Sequence, residues 1–194
     1  MQVVTLNGKE RSQIGKTAAK NYRKEGLVPC VLYSKEENIH FNADPVELKS
    51  LIYSPDFKYA DIVLNGKTHR CILKEIQFHP VSDAISHIDF LKLVKGTPVR
   101  VEVPLKLNGA PVGVKSGGKL VQKMRSIKIK TTPEHLVAEM NIDVSNLDLG
   151  QIMRIRDITP AKGVEIVTSA ATPVVSVEIP RALKTTETAA PAKK

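Results

Sequence analysis

The chain has 194 residues, 42% of them apolar, which suits one large or two ordinary packed domains and excludes wholesale disorder. Its formal net charge of +9 points to an acidic partner, either nucleic acid or an anionic surface. No apolar run approaches the length of a membrane span, and with Trp absent and aromatics at 4% a base-stacking platform is not the expected binding mode.

The N-terminus, MQVVTLNGKER, lacks the apolar core of a secretory signal, so a cytoplasmic location is expected. Residues 1–6 read as a short strand closed by a turn at Asn7-Gly8. After Ile14-Gly15 a helix is expected over 16–25, with Ala18, Ala19 and Tyr22 inward and Gly26 as its stop. Val28–Tyr33 follows as a strand, with Pro29 near its start, where a missing N–H is tolerated. A strand over 39–42 leads to a well-marked helix start. Asp44 is the N-cap, Pro45 the first helical residue, and Glu47 lies three past the cap.

Residues 60–64, Asn65-Gly66 and 68–78 form the strongest hairpin signal, and 84–94 reads as a further strand. Short, closely spaced strands of this kind protect their edges most economically in a small closed or nearly closed barrel. A boundary is expected at 95–98, KGTP, beyond which the pattern is almost pure strand. Strands are expected over 99–107, 126–132, 140–144, 153–158, 164–167 and 174–179, which suggests a sandwich-like domain. The segment 114–119, VKSGGK, reads as a flexible basic loop whose glycines serve a turn. The domains are therefore expected at 1–94 and 95–180, followed by a disordered basic tail over 181–194. Cys30 and Cys71 lie in apolar, strand-like runs and read as small core residues.

Charge is unevenly placed. Residues 1–94 carry 13 basic and 11 acidic residues, yet six of the 13 fall between Lys9 and Lys24. On a helix Lys16, Lys20, Arg23 and Lys24 share one face. Like charges at that spacing weaken the helix unless an anion lies against it, and nucleic-acid phosphate is the commonest polyanion. A solvated face is the alternative.

A second constellation lies later. In a strand, Gln77 and His79 point to one side, as do His87 and Asp89, while Ile76, Phe78, Ile88 and Phe90 point to the other. A short connection makes the two strands neighbours. Three readings stay open: a solvated face, a metal or hydrolytic site, or hydrogen-bonding readout of RNA base edges and 2′-hydroxyls. The hydrolytic reading lacks support, because the chain has no helical His pair, no nucleophile elbow and no Gly-rich phosphate loop.

GKTAAKNYRKEGLVPCVLY followed by LKEIQFHPVSDAISHIDFL resembles the bacterial large-subunit ribosomal protein family that binds 5S rRNA. VRVEVPLKLNGAPVGVKSGGKL and NIDVSNLDLGQIMRIRDI resemble the added C-terminal domain of its longer, general-stress-protein (Ctc) form. The resemblance implies a structural RNA-binding protein of the central protuberance, not an enzyme, with no cofactor or metal and no DNA or membrane partner. Its implied RNA contacts are Arg11, Gly15, Lys16, Lys20, Tyr33, Gln77, His79, His87 and Asp89. For the second domain three roles stay open: contact with large-subunit proteins, contact with rRNA such as 23S rRNA, or added bulk. The fold expected is mainly β with a few helices: an N-terminal six-stranded antiparallel β-barrel with two helices, then a β-sandwich-like domain. A stress-related protein acting through protein partners, with an incidental basic surface, is the alternative.

Overall fold

A computed structural model describes residues 2–34 and 38–180, so the expected basic tail at 181–194 lies outside the described residues. The chain divides into two units. One comprises Met1–Val101 with Thr132–Ala138, and the other Glu102–Thr131 with the residues from Glu139 onward.

The first unit holds six strands: β1 (Val3–Glu10), β2 (Val28–Tyr33), β3 (Asn38–Ala43), β4 (Tyr59–Leu64), β5 (Lys67–Phe78) and β6 (Ile85–Lys92). They close into a barrel in the order β1-β3-β2-β6-β5-β4. The six-stranded barrel with two helices is as expected, but it is mixed rather than purely antiparallel. β1 runs parallel to β4, and β2 runs parallel to β6. Neither parallel pair can be a hairpin; each needs a longer crossover. The chain between β1 and β4, and between β2 and β6, supplies it. Inside sit Leu6, Cys30, Leu32, Phe41, Ala60, Ile62, Cys71, Ile88 and Phe90, all fully buried. Burial pushes the Cys30 thiol up to about 12 and raises that of Cys71 as well, so both are inert core groups.

Local signals account for several elements. Asn65 and Gly66 take the positive φ values, 48° and 77°, of a two-residue hairpin turn. Helix α2 (Pro45–Ile52) begins where expected, and the Asp44 carboxylate accepts from the Val46 N–H at 2.8 Å. Glu47 does not complete a capping box. Its two carboxylate oxygens accept from the backbone and side-chain N–H groups of Asn7, at 2.8 and 3.1 Å, and tie α2 to β1.

Asn7-Gly8 is not a turn; β1 runs through it to Glu10. A Cβ at Gly8 would sit 2.6 Å from both Leu64 Cδ2 and Phe41 Cδ2. The residue is glycine because Phe41 and Leu64 fill the space a side chain would need.

The second unit takes in most of β7 (Val99–Asn108), followed by α3 (Val112–Lys115), β8 (Lys119–Gln122), β9 (Ser126–Thr131), β10 (Met140–Asp143), β11 (Ile152–Arg154), β12 (Val164–Ile166) and β13 (Pro173–Glu178). It contains a four-stranded sheet, β10-β7-β9-β12, and a three-stranded sheet, β11-β13-β8. The strand expected over 153–158 ends early at Arg154, where a single 3₁₀ turn, Ile155–Asp157, takes over. Residues 114–119 are not an open loop. The Gly118 N–H donates to Gly113 O at 2.8 Å, and a Cβ there would lie 2.7 Å from a Val177 methyl. Gly117, at φ 93°, makes the expected turn, whereas Gly118 serves close packing.

Gly8→Ala is expected to destabilise the protein by about 1–3 kcal/mol, the usual cost of overpacking a filled core. Chemical denaturation of the full chain measures this, and an unchanged midpoint would contradict the packing role.

Candidate nucleic-acid interface

Helix α1 (Lys16–Lys24) is intrinsically weak. Gly15, at φ 117°, offers no side-chain cap, the first turn holds no acidic residue, and no helix residue is fully buried. Its end is better made. The Gly26 N–H donates to Arg23 O at 3.2 Å and the Leu27 N–H to Tyr22 O at 2.9 Å, a Schellman closure that needs the positive φ of Gly26. Ala18, Ala19 and Tyr22 are half-buried, as the inner face requires, and the helix packs against β2. Val31 of β2 points away from the barrel interior yet is only 5% exposed, so this outer face is covered.

The register assembles the rest. Val31 pairs with His40 on one side and with Asp89 on the other, and Asp89 pairs in turn with Glu75. Gln77 pairs with His87. Arg11, just past β1, donates its backbone N–H to His40 O at 2.9 Å. Arg11, His40, Asp89, His87 and Gln77 therefore stand on neighbouring strands of one outer barrel face. His87 Nδ1 and Asp89 Oδ1 are 3.1 Å apart, with both side chains about one-fifth exposed. The pair is close enough for electrostatic attraction, but it is not aligned as a hydrogen bond.

Not every expected residue joins this face in the same way. Lys16 and Lys20 are exposed on α1, Gly15 marks its start, and Tyr33 is partly exposed at the end of β2. His79 does not continue the alternation from Gln77, because a bulge falls between Gln77 and Phe78. The same bulge leaves Phe78 exposed instead of inward. His79 shapes the hairpin tip: its N–H donates to Ala84 O at 2.8 Å, while Nδ1 faces the N–H groups of Val81 and Ser82 at 3.4 and 3.3 Å. Arg11 turns two guanidinium nitrogens, Nε and Nη1, into the protein.

Sequence reading missed His40 and Asn42. Both face outward from β3 beside this site, and both carry a buried polar atom without a protein partner, as Arg11 and Asp89 do. Only the pairing of β3 with β2 could have found them.

The electrostatics favour neutral imidazole. Burial holds the His87 pKa below its usual 6.5; Asp89 opposes this, and the nearby Arg11 and Arg23 guanidinium groups reinforce it. A neutral ring both donates and accepts, so His87 is fitted for hydrogen bonding and not for charge.

Residues 6–90 match the model of the Ribosomal L25p family, and residues 98–181 match that of the ribosomal protein TL5 C-terminal domain. The chain is 40% identical over 187 residues to the large ribosomal subunit protein bL25 of Azobacteroides pseudotrichonymphae, covering 96% of this chain and 98% of the relative. The chain belongs to the bL25 family of large ribosomal subunit proteins. The bL25 of Bacteroides fragilis is 39% identical, with 90% of this chain and 89% of that protein covered. For Porphyromonas gingivalis the identity is 42%, with 81% and 83% covered. Family membership makes this a ribosomal protein with rRNA surroundings, and it decides against the stress-protein reading as the primary one.

His87 also makes stability depend on pH. Its native pKa lies below the unfolded value, so the unfolded chain takes up more protons as pH falls through 6.5, and stability falls with it. His69, lowered by burial and by Lys92 and Lys67, acts in the same direction. Thermal melts at about pH 7.5 and about pH 5.5 are expected to show a loss on acidification that is smaller in His87→Asn. An equal loss in the variant would contradict this assignment.

Proposed function

We propose that this protein binds 5S rRNA in the central protuberance of the large subunit, with residues 1–94 as its RNA-binding part. The observation that carries the reading is a basic helix placed beside a half-buried polar face of the barrel. A-form RNA hides its major groove and presents a wide, shallow minor groove rich in 2′-hydroxyls. Lys16 and Lys20 hold phosphates, together with Arg11 and the backbone at Gly15. Tyr33, Gln77, His87 and Asp89 meet base edges and ribose, and His79 does so from the hairpin tip. Phosphate contacts fix the position, and the polar face reads. The second domain, residues 95–180, takes contacts with neighbouring large-subunit proteins and 23S rRNA.

Binding of the full chain to 5S rRNA and to a generic RNA duplex, across a salt series, tests this. Lys16→Ala and Lys20→Ala are each expected to lower the salt slope by about one. His87→Ala and Asp89→Ala are expected to cut the preference for 5S rRNA roughly tenfold with little change in slope. A wild-type protein without preference for 5S rRNA would overturn the proposal.

A further inference from the structure

Arg23 shares its helix face with Lys16, Lys20 and Lys24 by spacing, yet its side chain does something different. Its Nε–H donates to Ser86 O at 2.9 Å, crossing from the last turn of α1 to strand β6. Ser86 immediately precedes His87, and Asp89 lies on the same strand. The helix it anchors has no fully buried residue and no side-chain cap at its start. A helix held so lightly by packing takes its position from whatever directional contact it has, and a charge-assisted hydrogen bond is among the stronger ones.

We infer that Arg23 is a positioning residue for RNA recognition and not a phosphate contact: through Ser86 it locks the basic helix to the strand that carries His87 and Asp89. The inference rests on the RNA-binding reading above. It makes the spacing between phosphate-holding and base-reading groups a fixed dimension, set by one side chain.

Two substitutions separate the roles. In glutamine the side-chain amide nitrogen is as many bonds from Cα as the arginine Nε, so Arg23→Gln removes the charge but keeps a donor for Ser86 O. Arg23→Met keeps the length and removes both. Arg23→Met is expected to lower the preference for 5S rRNA over a generic duplex about tenfold and to speed hydrogen exchange of the α1 amides in the free protein roughly fivefold. Arg23→Gln is expected to stay near wild type in both, and neither variant is expected to change the salt slope. If both variants lose binding equally to all RNAs, with the slope lowered by about one, Arg23 is a phosphate contact and the inference is overturned. If Met and Gln leave α1 exchange alike, the lock is overturned as well. A wild-type chain that ignores 5S rRNA defeats the RNA reading alone, because the exchange comparison is made without RNA.

Discussion

The parallel pairing of β2 with β6 is the constraint on which the candidate site depends. It sets Val31 beside Asp89 and Cys30 beside Ile88, across more than fifty residues of chain. Without it the polar outer residues of β6 would face whatever strand happened to adjoin them. With it, the hairpin of β5 and β6 is fixed against β2 and β3, and α1, which packs on β2, is carried into the same neighbourhood. The alternation that buries Cys30, Leu32, Ile88 and Phe90 is the one that turns Val31, His87 and Asp89 outward. A register slip of one residue would bury the charges and expose the core, so the barrel's packing enforces the geometry of its outer face.

That outer face is built at some cost. Arg11, His40, Asn42 and Asp89 each place a polar atom out of solvent without a protein hydrogen bond. Such atoms in an apolar core would favour rearrangement, since each carries a desolvation penalty. Here they stand on a rigid sheet, and the closed ladder limits how far any can move toward another. The helix beside them is the opposite case: its start is uncapped, its exposed lysines repel, and its firm end is the turn at Gly26. In the proposed complex, a polar sheet face beside a charged helix lets electrostatic attraction act early and hydrogen bonding decide afterwards.

What could be read from sequence was what local chemistry decides. Asp44 and Pro45 start α2, Asn65-Gly66 turns the hairpin, and Gly26 stops α1, because each is settled within a few residues by a cap or a positive φ. Asn7-Gly8 has the same letters as a hairpin turn and is none. Its glycine answers to Phe41 and Leu64, which are distant in sequence. Parallel closure was hidden for the same reason: hydrophobic alternation marks a strand's faces but not its neighbour or its direction. His79 and Phe78 were misplaced by a bulge, which shifts the period by one without a sequence mark. His40 has no functional neighbour in sequence, because Arg11 and Asp89 reach it only through strand pairing.

Net charge, by itself, would favour the half of the chain that does not carry the proposed RNA site. Residues 95–180 carry 12 basic and 8 acidic residues, a larger excess than the 13 and 11 of residues 1–94. In the second unit, however, Lys106 meets Glu139 and Lys130 meets Glu165, so part of that charge is answered within the fold. On α1 the lysines at 16, 20 and 24 repeat every four residues with no acid in the first turn, and α1 contains no acidic residue at all. A polyanion responds to the local density of uncompensated charge, because screening confines each charge's influence to about 8–10 Å at ordinary salt. A short helix with an unrelieved basic face therefore outweighs a longer, more basic domain whose charges are spread and partly paired.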